Sequence, residues 1–287
     1  MRICWFNDNR LGVVKGDTVF DVSKVLEKLP KPTYPASRHG DTLIANLAAL
    51  RGDLEAAATG TGIPAASVKF LSPVAAPTKI IGTPTNYHDH IAEAAKQSDV
   101  FTYKRPSSNI DDQGLFLKAN SSLIGAGEPV RLRFPDRRSD HEMELGVIIG
   151  KKASNIRLED ALSYVAGYAI ALDMVVRGSQ DRSMRKSIDT YAVLGPWMVT
   201  ADEVPNPSVL GFSLAVNGVT KQKSNTKDMI MTIERQIQFA SEYYTLLPGD
   251  IIMTGTPSGV SQVKPGDVMH CEIDTIAAMD VRITADE

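Results

Sequence analysis

The amino-acid sequence predicts an α+β protein, with a strand-rich main domain of few helices behind a small N-terminal α/β domain. Three observations carry this. From Leu115 onward, short apolar runs bounded by turn residues follow one another closely. Residues 228–244 form the clearest helical stripe, with Ile230, Ile233, Ile237 and Ala240 on one face. No glycine-rich dinucleotide fingerprint follows a strand, so the chain does not read as a doubly wound nucleotide-binding sheet.

Residues 1–72 read as the small domain. The run Met1-Arg2-Ile3-Cys4-Trp5-Phe6 and the run Leu11-Gly12-Val13-Val14 are strands about an Asn7-Asp8-Asn9 turn, and residues 17–22 continue the meander. Helical segments are expected at 41–50 and near 54–58, with Asp41 as N-cap. Residues 72–79, with Pro73 and Pro77 among small side chains, read as a linker or extended crossing into a main domain of residues 73–287. There Ile80 and Ile81 belong to a short strand that ends at the Thr83-Pro84-Thr85-Asn86 break, and a helix is expected over 89–97 with Asp89 as N-cap. Residues 97–113 are polar and lack a period, which reads as disorder or a functional loop. Strands are then expected at 115–117, 145–149, 164–176, 197–199, 212–216, 251–254 and 268–273. Two of them follow the turn signals Pro248-Gly249-Asp250 and Pro265-Gly266-Asp267.

Composition narrows the function. With 31 basic and 34 acidic residues the formal charge is −3, so no basic footprint points to nucleic acid or to an anionic membrane surface. Cys4 and Cys271 stand at opposite ends and fit no metal or redox spacing, as expected of small buried hydrophobes. The first residues lack the apolar run of a secretory signal, and no stretch approaches the ~20 apolar residues of a membrane helix. The expectation is a soluble cytoplasmic protein. Gly146 to Lys151 only superficially resembles a phosphate loop, and Ser183-Met184-Arg185-Lys186 lacks the companion motifs of a lactam-type serine hydrolase.

The residues that carry chemistry are acidic. Glu142 and Glu144 run directly into the apolar strand of residues 145–149, so alternation places both on one face if the strand reaches back to Glu142. Adjacent like charges on a strand are destabilising unless a positive group lies between them, and carboxylate oxygens suit a hard dication. A solvated strand edge is the other reading. Asp173 ends an otherwise apolar run, on the face of Ala171, Ala169 and Gly167. A carboxylate there needs a partner, which is either a metal or Arg177 four residues on. His90 and Glu93, three apart on the expected helix, are either a surface pair or a carboxylate-oriented base. Lys118, Lys186 and the segment Gly255-Thr256-Pro257 are possible anion binders, or merely solvated.

Taken together, these stretches resemble the fumarylacetoacetate hydrolase family over nearly the whole chain. The matching pieces are Asn86-Tyr87-His88-Asp89-His90-Ile91-Ala92-Glu93, Phe116-Leu117-Lys118, His141-Glu142-Met143-Glu144-Leu145-Gly146, Leu172-Asp173, Arg177 with Gln180, Lys186-Ser187-Ile188-Asp189-Thr190, and Thr254-Gly255-Thr256-Pro257-Ser258-Gly259. The resemblance implies a mixed β-roll catalytic domain, usually dimeric, with one Mg2+ or Mn2+ per subunit. It implies Glu142, Glu144 and Asp173 as ligands, and His90 with Glu93 as a water-activating pair on a helix that orders as a lid, residues 97–113 included. Lys118 would act beside them, and Tyr87, Arg177, Gln180, Lys186 and Thr256 would lie on the substrate side. Ala119 stands where a proline often follows the lysine, and the stretch between Gln180 and Lys186 is short, which bears on specificity.

The implied reaction is hydrolysis of a carbon–carbon bond in an acylpyruvate or other diketo acid. A 2-oxo acid end can chelate the cation, which then stabilises an enolate. Two alternatives follow from the same residues. One is a 2-hydroxyhepta-2,4-diene-1,7-dioate isomerase or an oxaloacetate-type decarboxylase of aromatic catabolism; the other is a non-enzymatic oxo-acid-binding protein.

Overall fold

The computed structural model describes residues 1–31, 34–35, 38–96 and 110–286. Strands β1 (Arg2–Phe6) and β2 (Arg10–Lys15) form an antiparallel hairpin, with β3 (Thr18–Asp21) added to β2. Helix α1 (Thr42–Ala57) opens as expected on Asp41, whose carboxylate accepts the Ile44 amide at 3.1 Å. The two expected helical segments are one helix, because a single exposed glycine, Gly52, lowers helix propensity without breaking the turn. Strands β4 (Ile63–Pro64) and β5 (Phe70–Leu71) return to pair with β3 and β1.

Residues 72–79 are a tied crossing. Asp41 accepts the amides of Ala75 and Ala76 at 3.1 and 3.0 Å, and buried Asp250 accepts those of Thr78 and Lys79 at 3.1 and 2.8 Å. Beyond it run β6 (Ile80–Gly82), α2 (His88–Lys96), α3 (Ile110–Gln113), β7 (Phe116–Lys118), β8 (Leu123–Ile124), β9 (Val130–Leu132), β10 (Ser139–Asp140) and β11 (Met143–Ile149). Then follow β12 (Val165–Asp173), β13 (Val175–Val176), α4 (Arg182–Lys186), β14 (Ala192–Thr200), β15 (Gly211–Val216), β16 (Val219–Asn225), α5 (Ile233–Tyr243), β17 (Ile251–Met253), β18 (Val268–Ile273) and β19 (Ala277–Ala285).

Among the described residues, twelve strands make one sheet in the order β4-β3-β2-β1-β14-β12-β11-β17-β6-β7, with β5 beside β1 and β8 beside β14. The N-terminal meander therefore continues into the main sheet, Arg2 and Ile3 pairing with Val199 and Met198. A second sheet, β16-β15-β18-β19-β9, faces it. Alternation along the central strands sorts the side chains. Leu145, Val147, Ile170, Leu172 and Val193 pack against α5 and the five-stranded sheet. Ile148, Ala169, Ala171, Ala192 and Leu194 pack against α1 and the N-terminal strands.

Two helix boundaries differ from expectation. The α2 helix starts at His88, so Asp89 lies in its first turn, where a negative charge suits the helix dipole, and is not its cap. The α5 helix starts at Ile233 with Thr232 as cap, because residues 229–231 are held by a neighbour: Asn86 accepts the Met231 amide through Oδ1 at 2.7 Å and the Ile230 amide through its carbonyl at 2.9 Å. Of the expected lid, residues 110–113 form α3, and residues 97–109 lie outside the described residues. No helix of the described residues is long and apolar enough to cross a membrane.

Candidate metal centre and active site

The central pair of strands builds the acidic cluster. The register sets Met143 opposite Leu172, and the Asp173 amide donates to the Glu142 carbonyl at 2.8 Å, one step beyond the first residue of β11. Glu142 and Asp173 are thus cross-strand neighbours, and Glu144 lies on the same face two residues along. All three are buried, and each offers an oxygen within 4.8 Å of the others. Ala171 and Gly146 floor this face, and a Cβ on Gly146 would meet Leu194 Cδ1 at 2.8 Å, so there is no room there for larger groups.

Cations press on the cluster. Lys118, at the end of β7, and Lys186, at the end of α4, each donate to one carboxylate oxygen of Asp173. Lys186 also reaches Glu142 at 2.5 Å, and Lys118 donates to the Tyr191 carbonyl at 2.9 Å. The Arg177 guanidinium joins the second Glu142 oxygen (3.0 Å) to buried Asp140 (2.8 Å). The lysines thus take the place that sequence reasoning offered to Arg177 as the partner of Asp173.

Burial opposes ionisation of Glu142, but Lys186 and Arg177 outweigh it and carry its carboxyl down to about 2. Glu144 moves the other way, well above the usual carboxylate range, through burial and the neighbouring charges of Asp173 and Glu142. Lys118 falls below its ordinary value because burial outweighs the pull of Asp173, whereas Asp173 and Glu142 together overcome burial and raise Lys186. A third carboxylate that resists ionising marks a place short of positive charge. An all-oxygen donor set so crowded suits a hard dication such as magnesium or manganese.

The remaining expected residues fall around this cluster. On α2, His90 Nδ1 lies 3.1 Å from Glu93 Oε2, and the other Glu93 oxygen accepts the Gly259 amide at 3.0 Å. The Gly255 amide donates to Glu144 at 2.7 Å, so the loop 255–259 touches both the acidic cluster and the His90–Glu93 pair. Tyr87 is buried with its ring edge-on to Phe212, and its hydroxyl has no hydrogen-bond partner among the described residues. Burial, then the Glu144 charge, push that phenol up, so it stays protonated as a donor.

Two expected substrate contacts are engaged elsewhere. The Thr256 hydroxyl donates to the Met143 carbonyl at 2.8 Å, which commits its only proton to the strand that carries the glutamates. Gln180 is exposed, and its side-chain Oε1 accepts from Arg137 at 2.9 Å. Sequence reasoning missed Gln222, Asp140 and the supporting role of Asn86. Asn86 is fully buried and donates to the carbonyls of Met231 (3.0 Å) and Thr254 (2.8 Å), which sets the start of α2 against the 254–256 segment. Its place in a turn-like break gave no hint of this, and Gln222 stands in a polar run without an apolar pattern.

Residues 79–284 match the family described as fumarylacetoacetate (FAA) hydrolase, C-terminal. A maleylpyruvate hydrolase of Aquipseudomonas alcaligenes is 50% identical over 288 residues, covering 99% of each chain. A mitochondrial oxaloacetate tautomerase of Rattus norvegicus is 35% identical, covering 92% of this chain and 83% of that one. Among solved structures, a maleylpyruvate hydrolase from Sphingobium sp. SYK-6 in complex with manganese(II) and pyruvate is 40% identical, with a TM-score of 0.84 and full coverage of both chains.

Proposed function

Since the chain belongs to the fumarylacetoacetate hydrolase family, we propose that it hydrolyses a carbon–carbon bond in an acylpyruvate, with maleylpyruvate as the first substrate to try. Glu142, Glu144 and Asp173 would hold one magnesium or manganese ion. The observation that carries this reading is the shared loop: Gly255 holds Glu144 and Gly259 holds Glu93, which sets an imidazole–carboxylate pair beside a crowded oxygen cluster. When bound, the cation would supply Lewis-acid polarisation of the 2-oxo acid end and a counter-charge for the electron pair that cleavage releases.

The chain's own residues do the rest. Glu93 accepts from His90 Nδ1 and so orients the imidazole that would take a proton from water. The water oxygen bonds to the distal carbonyl carbon, and the bond from that carbon to the methylene breaks. The electron pair passes to the 2-oxo acid fragment, and His90 returns the proton to the methylene carbon, giving pyruvate and a carboxylic acid that releases the second water proton to solvent. Lys118 and Lys186 each hold one oxygen of the Asp173 carboxylate, and the Tyr87 hydroxyl, without a hydrogen-bond partner among the described residues, would donate to water or substrate. In this reading Arg177 and Thr256 brace the carboxylate strand, and Gln180 stands at the rim beside Arg137. A cytoplasmic homodimer completes the proposal; sedimentation of the purified chain tests the dimer.

A second reading uses the same residues without water attack, moving a proton between carbon and oxygen as a tautomerase or isomerase does, and the similar oxaloacetate tautomerase speaks for it. Purified protein with Mn2+ is given maleylpyruvate and, separately, oxaloacetate, and the absorbance of each is followed. We expect faster loss of maleylpyruvate, abolished by chelator and by His90→Ala. Full turnover by the His90→Ala protein would end the hydrolytic mechanism, and faster reaction of oxaloacetate would favour the second reading.

A further inference from the structure

Gln222 is the one buried residue of β16, a strand otherwise half-buried or exposed and rich in lysine. The β15–β16 register shifts at this point: Leu214 pairs with Gln222 but Ala215 with Thr220, so Lys221 is the extra residue of a bulge. Such a bulge re-aims a side chain, and here it turns the Gln222 amide toward the far sheet.

All of that amide is used. Its oxygen accepts the Met143 amide at 3.1 Å and His141 Nδ1 at 3.1 Å; its nitrogen donates to Thr256 Oγ1 at 2.7 Å and to the Pro257 carbonyl at 3.0 Å. The polarity of the network is forced. A backbone N–H can only donate, so the Met143 amide fixes which Gln222 atom is oxygen, and His141 must then carry its proton on Nδ1. His141 Nε2 is left to accept from the Ser261 hydroxyl at 2.8 Å, and Thr256 passes its proton to the Met143 carbonyl. Both backbone polar groups of Met143, the residue between the two glutamates, are therefore held by this network.

The other end of the clamp reaches the imidazole pair. Gly259 has φ of +95°, and a Cβ there would lie 2.0 Å from the Lys221 carbonyl, so only glycine lets the loop lie flat on the bulge beside Gln222. From that position its amide holds Glu93. We propose that Gln222 is a positioning residue: it fixes the loop 255–259 against the strand bearing Glu142 and Glu144, and so sets the separation between the carboxylate cluster and the His90–Glu93 pair. The inference rests on the proposed reading that this pair serves the cluster.

The test compares Gln222→Met, which loses all four bonds at similar length, with Gln222→Glu, which keeps the acceptors and loses the donors. Leu54→Ala, in the N-terminal core, is the control for general destabilisation. Mn2+ affinity is measured by calorimetry, and kcat and KM are measured on maleylpyruvate. We expect Gln222→Met to weaken Mn2+ binding and to lower kcat by roughly 10- to 100-fold each, as loss of groups orienting metal ligands does, with KM little changed. Gln222→Glu should fall between, and Leu54→Ala should leave both values in place. Unchanged Mn2+ affinity in Gln222→Met, or losses that Leu54→Ala reproduces at equal melting temperature, would overturn the proposal. If Gln222→Met does not fold, Gln222→Glu decides on the same criteria. The Mn2+ titration reads out even without turnover, so failure of the reaction reading appears separately, as an inactive unaltered chain.

Discussion

Arg177→Met separates two roles for one guanidinium. As a substrate contact, Arg177 would matter to KM and little to folding. The structure instead wedges it between Asp140, whose side chain is 0% exposed, and Glu142, which is 7% exposed. Methionine keeps much of the apolar stem and removes the charge. Asp140 then retains Arg138 at 2.7 Å and Glu142 retains Lys186 at 2.5 Å, but each loses a charged hydrogen bond in a buried setting. Breaking such a pair from one side costs about 3–5 kcal/mol. For a chain of 287 residues the unfolding entropy is about 0.6 kcal/mol per kelvin, so the melting temperature should fall by roughly 5–8 °C. Adding Asp140→Asn removes one of the stranded charges, and the double-mutant cycle should show coupling of about 1–3 kcal/mol. Calorimetry in chelator gives the stability, and steady-state kinetics with Mn2+ give KM. A melting temperature within a degree or two of the unaltered protein, together with a KM raised roughly tenfold or more, would refute the bracing role and restore substrate contact.

Other perturbations have equally definite outcomes. Gly82→Ala should destabilise by about 1–3 kcal/mol, read by denaturant unfolding, because its Cβ would lie 2.1 Å from the Phe116 ring. Since that ring lies 5.3 Å from Lys186 Nζ, activity should fall as well. Asp41→Ala should cost about 2–4 kcal/mol, because one carboxylate caps α1 and holds two amides of the crossing; Asp41→Asn should recover much of it in the same unfolding assay. Both cysteines should resist a thiol reagent at pH 8 in the native protein and react fully in guanidinium, since burial pushes the Cys4 thiol up to about 12 and Cys271 higher still.

Much of the acidic cluster was legible in the sequence because strand alternation is strict. Two glutamates two apart must share a face, and Asp173 at the end of an apolar run had to find a partner. What alternation cannot give is register across strands, so the direct opposition of Glu142 and Asp173 emerges only from the sheet. Long cations were harder to place: Arg177, Lys118 and Lys186 reach far from their backbones, and spacing offered Asp173 either a metal or Arg177 while the folded chain sets the two lysines on that carboxylate. The sequence offers Thr256 as one candidate anion binder because it displays the hydroxyl and hides the Met143 carbonyl that takes the hydroxyl's proton. The start of α5 was read too early because the groups that divert residues 229–231 belong to Asn86, far away in sequence.

The outer edge of β14 is divided between two strands, with β8 beside Ala192 and Val193, and β1 beside Met198 and Val199. The opening residues of the chain thus serve as a selvedge for the large sheet. A protein cut back to the catalytic portion would bare the backbone donors and acceptors around Met198 and Val199, together with the apolar face that α1 covers. Such a fragment invites a foreign strand along that seam and precipitation on expression. Anyone borrowing this scaffold for another reaction should redesign pockets around the cluster and leave the first strand alone.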